Sequence, residues 1–156
     1  MKISDILDET VVRVNIKGKS KDEIINEMIA IVSNSSKITD IEKVRSAIFE
    51  REKIMSTGVG NGFAIPHGKT DAVSDIVAAF AITEEPIDYE SLDEQPVRLV
   101  FLLIGKDSMV GPHIKLLSRI SRLMNKEEFR KKLLIATSPK EVIEIFKNEE
   151  TTYFEN

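Results

Sequence analysis

Residues 76–82, IVAAFAI, and residues 97–104, VRLVFLLI, decide the fold. Each is a near-continuous apolar run of strand length. A strand with one wet face alternates apolar and polar residues, so unbroken runs argue for strands covered on both faces. Helices are then needed on both sides of a sheet, and the flanking sequence supplies them. Upstream, Val11–Val14 is short and β-branched. Ser20-Lys-Asp-Glu23 reads as a capping box, followed by Ile24, Ile25, Met28, Ile29 and Val32 at helical spacing. Asp40 caps a second helix containing Ile41, Val44 and Ile48 and running to about Arg51. Between the two strands, Glu84–Gln95 is acidic and loop-like, with Pro86 and Pro96 as punctuation.

The last third is helical. Gly111-Pro112 opens a helix whose Ile114, Leu117, Ile120 and Met124 form a stripe, flanked by Leu116 and Leu123. Phe129, Leu133 and Leu134 predict a short helix. Ser138-Pro-Lys-Glu141 is a second capping box, starting a helix through Val142–Phe146. The helical signal fades from Asn148. The expected architecture is one α/β domain over residues 1–150, with helices on both faces of a mixed, largely parallel sheet, and a frayed tail at 151–156.

Composition narrows the function. The chain has 156 residues, a net charge of -4 and no cysteine. The missing thiols exclude disulfides, cysteine nucleophiles, iron–sulfur clusters and cysteine-ligated zinc. The acidic balance argues against nucleic acid as a partner, because a phosphate backbone selects a concentrated basic face. MKISDILDET has no apolar segment of the secretory kind, and no run reaches the ~18–20 residues that span a bilayer. The reading is a cytoplasmic domain with no direct membrane insertion.

The candidate chemistry lies at Ser56–Lys69, STGVGNGFAIPHGK, which holds four glycines and has His67 near its end. A lone histidine is most often structural or solvated. His67 departs from that expectation because a glycine-rich loop is entropically costly and suits close approach to a ligand. His113, in the first turn of a helix, has two readings, a weak cap or a group beside an anion site. Gly58-Val-Gly60-Asn-Gly62 is neither a dinucleotide fingerprint nor a phosphate-binding P-loop, yet its amides can form a nest for a phosphoryl group. No nucleophile elbow exists for a serine hydrolase, and the two histidines lack metal-ligand spacing, so neither metal nor cofactor is expected. Arg51 also has two readings, a solvated cation at a helix C-terminus or a guanidinium fork for a dianion beside His67.

Arg51–Lys69, REKIMSTGVGNGFAIPHGK, closely resembles the active-site signature of the type-2 EIIA domains of the bacterial phosphotransferase system. The resemblance extends over nearly the whole chain. It includes Gln95-Pro96-Val97 at a strand entry and His113-Ile-Lys-Leu-Leu117 at a helix start. It implies a three-layer α/β/α sandwich and a phosphoryl-transfer reaction without metal or nucleotide. It also implies that His67 accepts the phosphoryl group, that His113 helps to hold it and that Arg51 lies near it. Thr57, Gly58 and Gly68 are then expected in the phosphoryl pocket. Pro112 replaces the acidic residue that many sugar-type members carry there.

The implied donor is the phosphohistidine of HPr, or an HPr-like carrier of the nitrogen branch. The implied acceptor is an EIIB domain of a fructose- or mannitol-class permease, expected on another chain because no cysteine is present. The alternative is a nitrogen-regulatory EIIA that controls target proteins by its phosphorylation state. Ser56–Gly62 and Asp93–Val97 resemble that branch, whereas Ile104-Gly-Lys resembles fructose-type members. A third reading is a binding domain that has lost the chemistry. Phe63, Val59 and Met109 are candidates for a docking rim or, equally, for the core.

Overall fold

The structure, a computed structural model, describes residues 1–154. Among them, one sheet contains β1 (Val12–Ile16), β2 (Gly58–Gly60), β3 (Phe63–Ala64), β4 (His67–Thr70), β5 (Val77–Ile87) and β6 (Val97–Lys106). The order is β1-β5-β6-β3-β2, and β4 also pairs with β6. The two apolar runs are the centre of the sheet, an antiparallel pair with Phe80 opposite Phe101. Around them β1 joins β5 in parallel, β3 and β4 join β6 in parallel, and β2 returns antiparallel to β3. The sheet is therefore mixed and largely parallel, as expected.

Alternation along β5 and β6 divides their side chains between two cores. Ala78, Phe80, Ile82, Leu99, Phe101 and Leu103 enter one, against α3 (Val110–Met124), α4 (Glu127–Leu134) and α5 (Pro139–Phe154). Val77, Ala79, Ala81, Val100, Leu102 and Ile104 enter the other, against α1 (Lys21–Val32) and α2 (Ile41–Ile54). This is the three-layer arrangement that the unbroken apolar runs demand. The helix starts follow the capping signals. Ser20 Oγ accepts the Glu23 amide at 3.2 Å, the Asp40 carboxylate accepts those of Glu42 and Lys43, and Ser138 Oγ accepts that of Glu141 at 3.2 Å.

β3 and β4 run along β6 as one strand with a break; β2 covers the β3 half, and the β4 half lies at the sheet edge. Phe63 lies opposite Leu99 and His67 opposite Leu103, so the residue offset to β6 is unchanged across Ile65-Pro66. Proline has no amide to donate, and only its carbonyl bonds β6, accepting Leu103 N–H at 3.1 Å. His67 is therefore the first residue after the break.

Three expectations need correction. β5 does not stop at Ile82 but continues through exposed Glu84–Pro86 to Ile87, because a register shift between Ile82 and Ile87 accommodates the polar residues before pairing resumes at Ile87 and Val97. The buried stripe of α3 is His113, Leu116, Ile120, Leu123 and Met124, which leaves Ile114 59% exposed. Apolarity alone misjudged the rotation, since a histidine occupies the inward position one residue before an isoleucine.

The tail does not fray at Asn148, because α5 runs to Phe154. Its buried Glu150 accepts the amides of Ile3 at 2.7 Å and Ser4 at 2.9 Å and pairs with Arg119 Nε at 2.8 Å. Arg119 also stacks over Phe154 at 3.9 Å, and Lys126 over Tyr153 at 3.9 Å. Those partners come from the opposite end of the chain and from α3 and its C-terminal flank, beyond the reach of a local reading. Residues 155–156 of the expected tail lie outside the described residues.

Phe146 of α5 joins the core. Its ring meets Phe80 at 5.2 Å, Phe129 at 5.2 Å and Phe101 at 6.0 Å, all edge-on. Phe146→Ala is expected to lower unfolding stability by about 3–5 kcal/mol in urea titration. A loss under ~1 kcal/mol would show that the α5 layer contributes little to the core.

Candidate active site

His67 is half-buried at the start of β4, and His113 is 3% exposed near the start of α3. Their ring centroids are 5.8 Å apart, tilted by 48°. Both line a cleft of about 520 Å³ with Ala47, Glu50, Arg51 and Ile54 of α2, Gly68 and Lys69 of β4, Asp107, and Ile114 and Leu117 of α3. Of the residues expected from sequence, His67, His113, Arg51 and Gly68 thus share one cavity.

The tautomer of His67 follows from its partner. Nδ1 lies 2.7 Å from the Ile65 carbonyl, and a carbonyl oxygen only accepts. Nδ1 therefore carries the proton, and Nε2 keeps its lone pair. Burial holds the imidazole below its ordinary range of protonation. The Ile65 bond and the Glu52 carboxylate oppose that shift, whereas Arg51 and Lys69 add to it. His113 is pushed down to about 4 by burial, then by His67 and Lys69. Neither of its ring nitrogens has a hydrogen-bond partner among the described residues. At neutral pH the cleft contains two uncharged imidazoles between two fixed cations.

Two glycines make this geometry sterically allowed. A Cβ on Gly68 would lie 3.1 Å from the backbone of Ala47, so β4 and α2 touch where the strand carries His67 and the helix carries Arg51. A Cβ on Gly105 of β6 would lie 2.4 Å from His113 Nδ1, so the imidazole rests directly on the strand backbone.

Thr57 and Gly58 are not in the cleft lining. The Thr57 hydroxyl bonds the Glu52 carboxylate and lies 3.1 Å from Tyr89 Oη. Gly58 faces Ser91 and Tyr89, with room for no Cβ. The glycine-rich segment is likewise not a nest facing the histidines. Asn61 (φ 59°) and Gly62 (φ 79°) form the turn from β2 to β3, and the Asn61 amide is taken by Asp93 at 3.0 Å. Nearness in sequence to His67 misled here, because the hairpin carries those residues away before the chain returns. Of the rim candidates, Phe63 is core and Val59 and Met109 do not line the cleft.

Sequence reasoning missed Lys69, Gly105 and Glu52. Gly105 carried a signal, since an isolated glycine in an apolar strand marks close approach. Lys69 adjoins the motif, whereas Glu52 had no signal beyond its place after Arg51. Among the described residues no group of three or more histidine, aspartate or glutamate side chains is arranged to hold a metal ion, and no helix is long and apolar enough to cross a membrane.

Comparison with known proteins identifies the family. The profile of the family described as "Phosphoenolpyruvate-dependent sugar phosphotransferase system, EIIA 2" matches residues 5–149. The chain is 40% identical to the fructose-specific EIIABC component of Bacillus subtilis (strain 168) over 93% of its length, but spans only 23% of that protein. It is 37% identical to a nitrogen regulatory protein of Bradyrhizobium diazoefficiens, covering 85% of this chain and 86% of the other. The crystal structure of the nitrogen regulatory protein IIA-Ntr from Neisseria meningitidis superposes with a TM-score of 0.87 at 30% identity, over 92% of this chain and 98% of that one. Profile, sequence relatives and fold agree, and the chain belongs to the EIIA 2 family of the phosphoenolpyruvate-dependent sugar phosphotransferase system.

Proposed function

We propose that the chain is a phosphocarrier. His67 accepts a phosphoryl group from the phosphohistidine of HPr and passes it to an EIIB domain serving a fructose- or mannitol-class permease. The observation that carries this reading is the 2.7 Å bond between His67 Nδ1 and the Ile65 carbonyl, which leaves Nε2 free in a cleft shared with His113. The Nε2 lone pair attacks phosphorus in line. A nitrogen–phosphorus bond forms as that to the donor imidazole breaks, and the bonding pair returns to the donor nitrogen. No proton has to move.

As the new bond forms, the His67 ring gains positive charge, and its bond to Ile65 strengthens. That is stabilisation given to the transition state more than to the ground state. Phosphoryl transfer otherwise needs placement and charge compensation. Arg51 and Lys69 supply positive charge for the phosphoryl oxygens, and neutral His113 has an N–H without a partner among the described residues. Exposed Ile54 and Ile114 on the rim suit brief contact with a donor and then an acceptor.

Incubation with phosphoenolpyruvate, Enzyme I and HPr, followed by mass spectrometry under alkaline conditions, tests the reading. An acid-labile phosphate on His67 is expected, with none in folded His67→Ala. Labelling only by the nitrogen-branch carrier would reassign the chain to regulation, and no label from either donor would overturn the carrier reading.

Two further outcomes follow from the site. In NMR titration the His113 ring is expected to protonate with a midpoint near 4, and His67 below its ordinary 6.5. Both pKa values are depressed on folding, so their contribution to stability is complete above about pH 6.5. It is lost as pH falls through the folded values, and midpoints at 6.5 for both would contradict the burial described. Gly105→Ala should displace the His113 ring and slow acceptance roughly tenfold to a hundredfold while His67 remains the labelled residue. An unchanged time course would show that the seat of His113 is immaterial.

A further inference from the structure

Thr57 and Ile65 face one another just beyond the paired residues Gly58 and Ala64 of β2 and β3. Two residues in that position on an antiparallel ladder exchange both of their bonds. Here only one is made, from the Ile65 amide to the Thr57 carbonyl at 3.0 Å. The reciprocal partners are both diverted. The Thr57 amide donates to Glu52 Oε2 at 2.7 Å, and the Ile65 carbonyl accepts His67 Nδ1 at 2.7 Å.

Glu52 is built for this task. It is 7% exposed on the last turn of α2. It accepts the Thr57 amide and hydroxyl, accepts Tyr89 Oη at 3.1 Å and pairs with Lys21 Nζ of α1 at 2.9 Å. Buried ion pairs are a poor source of stability, because desolvation offsets the attraction, and apolar pairs of similar volume often serve as well. The bond from the Thr57 amide to the Glu52 carboxylate is charge-assisted and so outcompetes a neutral carbonyl for the same amide.

We propose that Glu52 is a positioning residue for the histidine nucleophile. By drawing the Thr57 amide out of the β2–β3 ladder it reserves the Ile65 carbonyl for His67, and so keeps the imidazole protonated on Nδ1 with Nε2 free. The inference rests on the phosphocarrier reading for its role in transfer, but its physical content is the tautomer alone.

The test reads the tautomer ratio of His67 from imidazole ¹⁵N shifts at pH 8, where both histidines are neutral. Wild type is expected as the Nδ1–H form; the Nε2–H form would overturn the proposal at once. Lys21→Met/Glu52→Met removes the acceptor without leaving the ammonium buried alone, and Thr57 Oγ1 and Tyr89 Oη still have each other. It is expected to move the ratio toward Nε2–H by roughly tenfold, the worth of one competing hydrogen bond. Acceptance should slow in proportion, with the KM for phosphorylated HPr unchanged. Glu52→Gln keeps the volume and a weaker neutral acceptor, and should shift the ratio part of the way.

An unchanged ratio in whichever of the two variants folds overturns the proposal, so failure of the double variant to fold leaves Glu52→Gln to decide. A wild type that takes no phosphoryl group would sink the carrier reading without touching the tautomer comparison. Normal transfer with an unmoved tautomer would sink only this inference.

Discussion

The break at Ile65-Pro66 between β3 and β4 is the constraint on which the site depends. Proline withholds an amide, while its own carbonyl still anchors the strand to β6 at 3.1 Å. The Ile65 carbonyl, turned the other way, is free for the imidazole two residues on. The unchanged register on either side means that the break costs no displacement of β4. His67 thus has a fixed backbone and a fixed ring, which loop placement alone does not provide.

Charge in the cleft is balanced to the same end. On the proposed phosphocarrier role, a nucleophilic imidazole must be neutral, and the group it accepts is a dianion. Burial serves the first need, and the Arg51 and Lys69 cations serve both, since each disfavours a protonated ring and attracts phosphoryl oxygens. Glu50 and Asp107 line the same cavity and temper that positive field. A carrier has to release what it binds, so a cleft of mixed sign suits transfer better than an unopposed cluster of cations.

The layers, the central strand pair and the helix starts were legible because each depends on local pattern: unbroken apolar runs, capping residues and helical spacing. His67, Arg51 and Gly68 were legible for a related reason, as they belong to one short motif. His113 was read as a site residue, yet the start of its helix was misjudged, with Ile114 placed inward in its stead, since periodicity counts a histidine as polar even where it points inward. Thr57 and Gly58 show the opposite failure. They stand within ten residues of His67, but a hairpin intervenes, and their contacts are Glu52, Tyr89 and Ser91. The span of α5 beyond Asn148 and the role of Glu150 depend on amides at Ile3 and Ser4, a pairing visible only once the chain has folded.

On the proposed phosphocarrier role, the position of the site at the sheet edge follows from what a carrier must do. Nε2 has to be reached by a donor protein and then by an acceptor, so the nucleophile cannot sit in the crevice at the centre of the sheet. An edge meets that need but exposes unpaired backbone, a hazard for association with other chains. Short β2, the turn at Asn61-Gly62 and the break at Pro66 limit the length of continuous edge on offer. The features that protect the edge are therefore those that shape the site. The two cores beneath, packed on opposite faces of β5 and β6, supply the stability that lets the edge remain irregular.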